Sequence, residues 1–289
     1  MQTAYLIMAH KGPEQLIRLI DKLGFPGADF FIHVDAKADI SDFIGLTGIA
    51  RVHLIRNRKT CNWGGYSFVE AIFSALRELS QSAERYEFIH LLSAQDYPVV
   101  APAVINRFLS QNKGKNFISF ESSSNSSWWM EARNRYEQYH FTDYNFQGKY
   151  LIQRILNAII PKRKFPGGMV PYGGSDSSWW TISGECAGFI TQRFYADARL
   201  RKFLKLCWGA DEFTIATLIM NSPFKHTVIN NNLRYIDWSE GNAHPKLLGV
   251  KDIGSILRSG KFFARKFDAN NGQAVLDALD LHAATGKAH

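Results

Sequence analysis

Cysteine is scarce in this chain: Cys61, Cys186 and Cys207 are the only three in 289 residues, and no C-x-x-C spacing joins them. So sparse and odd a set argues against a disulfide framework or a thiolate zinc site, and it suits a reducing compartment. Long apolar runs are missing as well. The N-terminal stretch TAYLIMA at 3–9 follows no basic segment and is too short for a signal peptide or a spanning helix. Neither G-x-G-x-x-G nor a Walker pattern occurs, so no standard glycine loop marks a phosphate site. No long basic arm or RNP-like motif argues for nucleic acid. Repeats and low-complexity linkers are absent, which leaves residues 1–289 to be read as one domain. The expected setting is cytoplasmic, with contact to the inner face of an anionic membrane as the most a membrane role allows.

What is present is aromatic and basic. Phe, Trp and Tyr make up 13% of the residues, and the formal net charge is +8. Aromatic rings serve a core or stack on sugars, so composition alone leaves both readings open. The positive balance favours an anionic partner such as a nucleotide, a phosphorylated lipid or a membrane surface. Lys162-Arg163-Lys164 and the stretch RSGKFFARK at 258–266 concentrate that charge.

The first third of the chain alternates buried strands with amphipathic helices. Residues 3–9 and 30–34 (FFIHV) are continuous apolar runs, and between them Leu16, Ile17, Leu19, Ile20 and Leu23 recur on one helical face opened by Pro13. That is a βαβ unit, in which ligands bind at the carboxyl ends of strands. His10 and Asp35 stand at those ends. A third strand at 51–56 leads into a loop containing Trp63-Gly64-Gly65, and a helix follows from 67 to 79. A fourth strand at 86–92 runs into Ser93-Ala94-Gln95-Asp96-Tyr97-Pro98, again putting polar groups at a strand end. A helix near 101–111 and a strand at 116–120 complete a nucleotide-type half, approximately 1–120. The remainder, 121–289, is more aromatic and less periodic. Its run WWMEARNRYEQYHF reads as a lid or acceptor surface, or as an irregular helix over the sheet. Residues 149–159 form an amphipathic pattern followed by a basic, Pro/Gly-rich segment.

One stretch organises the second half. In CWGADEFTIATLIMN, 207–221, Asp211 and Glu212 follow a glycine and precede a helix-compatible run, so both carboxylates are expected in a first helical turn. There they complement the helix dipole, or one of them serves as a general base in a cleft.

Several segments taken together resemble one family. AYLIMAHKGPEQLIRLID, FFIHVDAK, NWGGYSFVEA, LLSAQDYP, SSWWTIS, ADEFTIATL, LRYIDW and FARKFD occur in the order seen in core-2/I-branching β-1,6-N-acetylglucosaminyltransferases, which include peptide O-xylosyltransferases. The resemblance spans about 3 to 268. It implies a GT-A-like α/β fold, with a Rossmann-like half and a mixed central sheet flanked by helices. It also implies a UDP-sugar donor and inversion at the anomeric carbon. Animal members carry a membrane anchor, a stem and disulfides that this chain lacks, so it looks like a compact bacterial-type cytoplasmic relative. Its acceptor, a glycan or lipid-linked oligosaccharide, is not carried over from the animal enzymes.

Such a transfer needs a base on the acceptor side and positive charge facing the departing diphosphate. No D-x-D follows the second or fourth strand, since Asp35 precedes Ala36-Lys37 and Asp96 precedes Tyr97-Pro98. The family likewise works without metal, so no metal and no other cofactor is expected. By position in the family motifs, Glu212 matches the base and Lys266, with Arg265 beside it, matches the diphosphate-binding lysine. His10, Asp35, Trp63 and Asp96 are the nucleotide candidates, and Trp238, Arg135 and Trp180 the acceptor candidates. Of Trp179 and Trp180, one is expected to face the core and the other the cleft. GlcNAc is the leading donor sugar. UDP-xylose, a silent carbohydrate-binding protein and a metal enzyme improvised from Asp35 and Asp96 are the alternatives.

Overall fold

A computed structural model describes residues 1–123 and 126–284. Residues 124–125 of the polar SSSNSS run, and 285–289 of the expected domain, lie outside the described residues. Strands β1 (Thr3–Ala9), β2 (Ala28–Val34), β3 (Val52–Leu54), β4 (Phe88–Ser93), β5 (Asp96–Pro98), β6 (Asn116–Ile118), β7 (Glu121–Ser122), β8 (Tyr172–Gly173), β9 (Trp180–Ser183), β10 (Val228–Ile229), β11 (Arg234–Ile236) and β12 (Phe263–Arg265) build three sheets. The main one has the order β10-β6-β9-β4-β1-β2-β3. Its β3, β2, β1 and β4 run parallel, while β9 runs antiparallel to both β4 and β6. This is the mixed, helix-flanked α/β sheet that the resemblance implies.

The period-2 alternation of β1 divides the core between two faces. Ala4, Leu6 and Met8 pack among residues of α2 (Tyr66–Leu79), α7 (Gly184–Ala196) and α9 (Thr214–Met220). Tyr5, Ile7 and Ala9 pack among residues of α1 (Pro13–Leu23), α3 (Pro102–Gln111) and α11 (Ala269–Ala284). With both faces covered, β1 and β2 are buried along their whole length, which is why they read as unbroken apolar runs. Leu6 is fully buried, and truncating it to alanine costs about 2–5 kcal/mol. Helix α1 begins as its residues require: Pro13 occupies the first turn after Gly12 at φ 66°, and Leu16, Leu19, Ile20 and Leu23 are buried.

The second sheet was not foreseen. It joins β11 to β12 in parallel and β12 to β5 antiparallel, so Phe263–Arg265 of the FARKFD segment form a strand. The aromatic run after 126 is partly core. Its α4 (Ser127–Ala132) and α5 (Asn134–Glu137) bury Trp129 and Tyr136 beside Phe213, the outcome expected of an irregular helix over the sheet. The remaining helices are α6 (Lys149–Ile159), α8 (Ala198–Leu204) and α10 (Ile253–Arg258).

Candidate active site

The carboxyl ends of β1, β2 and β4 deliver His10, Asp35 and Ser93 to one cleft of about 540 Å³. Trp63, Trp238, Glu212, Arg265 and Lys266 line the same cleft. Two other depressions, of about 620 and 510 Å³, contain none of the expected site residues. Sequence segments separated by more than two hundred residues therefore converge where an open α/β sheet binds its ligand.

On one wall, the acid pair sits in a 3-10 turn, Ala210–Glu212, and not in the first turn of an α-helix as the pattern predicted. Phe213 has φ −138°, outside helical space, because its ring is drawn into a cluster with Trp129, Tyr136 and Phe165; α9 starts only at Thr214. The turn is fixed at both ends. Glu212 N–H donates to Gly209 O at 3.1 Å, and Gly174 N–H donates to Glu212 O at 3.0 Å. Gly209 adopts φ +61°, and a Cβ there would lie 2.6 Å from Arg135 Nη1. A side chain there would strain the backbone and push the guanidinium aside.

Arg135 makes an ion pair with the Glu212 carboxylate. Its guanidinium lies 4.3 Å from the Trp208 ring centroid and 5.2 Å from that of Trp128. The residue marked for acceptor binding is thus engaged in holding Glu212. Burial nonetheless pushes the Glu212 carboxyl up to about 8; Arg135 opposes this shift and Asp211 adds to it. Asp211 does not cap the turn. It accepts a hydrogen bond from Ser178 Oγ at 2.7 Å, and burial raises its carboxyl above the ordinary range.

A second wall is cationic, lined by Lys37, Arg265 and Lys266. Lys11 pairs with Asp268 at 3.2 Å, and Lys37 donates to Cys61 O at 2.7 Å. Among the described residues no ion pair engages Lys266 Nζ, and burial together with Arg265 and Lys11 pulls its ammonium below the ordinary lysine range. His10 is pushed below its usual value by burial and then by Lys11 and Lys266. Lys246, another cation in this half, is occupied by Asp252 at 2.7 Å.

Two candidates fall elsewhere. Asp96 is fully buried and does not reach the cleft. It accepts from Ser93 N–H at 2.8 Å and from Ser93 Oγ at 3.1 Å, and lies 2.9 Å from Arg265 Nε. A carboxylate so committed ties β5 to β12 instead of meeting a nucleotide, and this also removes it as a metal ligand. Trp180 is likewise fully buried and packs in the core, while Trp179 lines the cleft with its ring 4.1 Å from the Arg265 guanidinium. Asp35, 6% exposed, reaches the cleft with Oδ1 held by Lys37 N–H at 2.9 Å. Trp63 is 67% exposed and meets Trp208 edge-on. Trp238 donates from Nε1 to Asp176 at 2.8 Å.

Some contributors escaped sequence reasoning. Asp143 fastens the Trp63 loop, accepting from Asn62 Nδ2 at 3.0 Å, Ser67 N–H at 2.8 Å and Ser67 Oγ at 2.6 Å. Arg58 clamps the end of β2 through the carbonyls of Val34, Asp35 and Ala38. No local pattern marks either. Trp208 had a signal in its place beside Gly209. Gly209 N–H donates to Gly64 O at 2.7 Å, and a Cβ on Gly64 would lie 2.5 Å from Trp208 Nε1. Among the described residues no group of three His, Cys, Asp or Glu side chains could hold a metal ion.

Residues 3–257 match the model of the Core-2/I-Branching enzyme family. Human xylosyltransferase 2 is 26% identical over 307 residues, covering 98% of this chain and 34% of its own length. Xylosyltransferase oxt of Drosophila pseudoobscura is 26% identical over 290 residues, covering 92% of this chain and 31% of its own. The chain therefore spans about a third of the length of the curated relatives it matches. Among solved structures, apo mouse xyloside xylosyltransferase 1 aligns with a TM-score of 0.38 at 10% identity, covering 83% of this chain and 90% of that one.

Proposed function

Because this chain belongs to the Core-2/I-branching enzyme family, we propose that it is an inverting glycosyltransferase that takes a sugar from a UDP-sugar and places it on a hydroxyl of a glycan or lipid-linked oligosaccharide. One observation carries the reading: a single cleft has a carboxylate raised to about 8 on one wall and, on another, a lysine that has no ion-pair partner among the described residues. In the reaction the acceptor oxygen attacks the anomeric carbon from the face opposite the diphosphate. The new C–O bond forms as the bond to the β-phosphate oxygen breaks, and the configuration inverts. Glu212, held by Arg135, takes the hydroxyl proton. A base of that strength matches proton transfer near neutral pH. Lys266 faces the charge that accumulates on UDP and serves in place of a metal. Asp35 and Trp63 are suited to the uracil and ribose, and Trp238 to an acceptor sugar.

The relatives named xylosyltransferases favour UDP-xylose as the first donor to test, ahead of the UDP-GlcNAc expected from the motifs. The test is a panel of UDP-sugars with and without EDTA. Turnover of one donor, unchanged by chelation, is the expected result. Loss of activity in EDTA with rescue by manganese overturns the metal-free part, and UDP binding without turnover of any donor overturns the enzyme.

A further inference from the structure

Helix α6 carries its apolar face on the wrong side for a globular protein. None of its residues is buried. It is attached to the body by polar side chains: Gln153 Oε1 accepts from Phe141 N–H at 2.9 Å, and Asn157 exchanges two hydrogen bonds with the Tyr139 backbone at 2.7 and 3.0 Å. Its apolar residues look outward instead. Leu151 is 55% exposed, Ile155 48% and Ile159 72%; at spacings of four they form one stripe, with Ile152 beside it. An amphipathic helix normally buries that stripe, and a contiguous exposed apolar patch marks a surface that meets something other than water.

The charge around the stripe identifies the occupant. From residue 144 to residue 175 the chain has five cations, Lys149, Arg154, Lys162, Arg163 and Lys164, and no Asp or Glu. Arg163 turns inward to backbone carbonyls and Lys162 pairs with Glu137, but Arg154, within the helix, and Lys164, in the segment that follows it, are exposed. A second copy of this chain on the same face sets like charges against like charges. An anionic bilayer satisfies both features at once: its hydrocarbon boundary accepts the isoleucines and its phosphates the cations. We propose that α6 docks the protein on an anionic membrane surface, lying in the interface plane. The segment leading into α6 is the one whose Asp143 fastens the Trp63 loop, so docking holds a rim of the cleft at the lipid surface. That suits an acceptor presented from a membrane.

The test is sedimentation with vesicles of phosphatidylcholine alone and of phosphatidylcholine mixed in equal parts with phosphatidylglycerol. The protein is expected to bind the anionic vesicles, less so as salt rises, and to leave the neutral ones in suspension. Ile155→Asp with Ile159→Asp, both solvent-facing, should weaken binding roughly tenfold or more. Arg154→Glu and Lys164→Glu should each weaken it roughly fivefold, which keeps a result in hand if the first variant misfolds by circular dichroism. Three results overturn the proposal: no binding to anionic vesicles at low salt, undiminished binding by the isoleucine variant, or a wild-type dimer that this variant dissolves. Vesicle binding needs no donor sugar, so its failure leaves the glycosyl-transfer reading standing, and the reverse holds too.

Discussion

The two walls of the cleft treat buried charge in opposite ways. Glu212 has a dedicated partner: Arg135, itself held between two indoles, contacts its carboxylate, yet burial still favours the protonated acid. Lys266 has no ion-pair partner among the described residues, and its neighbours Arg265 and Lys11 push against its charge. A group that must gain and lose a proton in every cycle benefits from a partner that keeps it in place through both states. A group that must meet an incoming anion is better left unsatisfied until that anion arrives, since prior pairing would have to be broken. The difference between the walls is therefore a difference of task, and it can be broken one wall at a time.

Removing the base should have the largest effect. Glu212→Gln keeps the shape of the turn and is expected to lower transfer by roughly 10²–10⁴-fold, with UDP affinity, measured by calorimetry, nearly unchanged. A variant that keeps a tenth of wild-type transfer shows that the acid wall does not hold the base. Lys266→Ala should cost somewhat less, roughly 10²–10³-fold by comparison with the removal of one fixed donor to a developing anion. The loss should appear in kcat more than in donor KM, because the charge it meets grows during departure. If KM alone rises, Lys266 binds UDP but does not assist its departure, and the contrast between the walls is one of location only.

How much of this contrast could be read from the sequence depends on how far each residue's partner lies along the chain. Continuous apolar runs announced β1 and β2, because a strand buried on both faces needs nothing else. The ends of those strands carried His10 and Asp35 into the cleft, as the general geometry of such sheets requires. Asp96 sits at an equally suggestive strand end, yet it is consumed by Arg265, which arrives from far along the chain through a three-residue strand too short to recognise. Trp179 and Trp180 differ by one position, and the face each takes is set by where β9 begins, at Trp180. The acid pair lines the cleft, but in a 3-10 turn and not in the helical turn that the pattern predicts. Phe213 leaves helical space to join an aromatic cluster assembled from three other segments, a tertiary demand that overrides the helical pattern. In α6 the periodicity was visible, but its orientation was not, because outward and inward faces of an amphipathic helix share one pattern.

A smaller effect sharpens the comparison through pH. With Glu212 as base and Lys266 as the required cation, kcat/KM should rise with pH as Glu212 loses its proton near 8 and fall again as Lys266 loses its own, below the ordinary lysine value of 10.5. Arg135→Gln removes the cation that favours ionised Glu212, so the rising limb should move to higher pH while the falling limb stays. A displacement of about one unit leaves roughly a tenth of the activity at neutral pH, recovered in alkaline buffer. A loss that is uniform across pH places Arg135 on the acceptor and not on Glu212.

The smallest expected effect is on stability. Folded Glu212 holds its proton up to about 8, whereas the unfolded chain releases it near the ordinary 4.5. Between those values the native state binds more protons than the unfolded one, so this group's contribution, fully present below 4.5, is lost as pH rises towards 8. The loss cannot exceed about 1.4 kcal/mol per pH unit for a single proton. Glu212→Gln has no proton to lose and escapes it, although Arg135 is left without its partner at every pH. The variant's melting temperature relative to wild type should therefore climb between about pH 5 and about pH 8 and then level off, whatever constant offset the orphaned guanidinium imposes. Lys266→Ala should show the opposite dependence on its own wall: a lysine held below its usual value penalises the charged native state at low pH, so removing it helps most in acid and least as pH rises past the folded value. Parallel slopes in the two variants, in place of opposed ones, would mean that the walls do not differ in the sign of charge that burial disfavours.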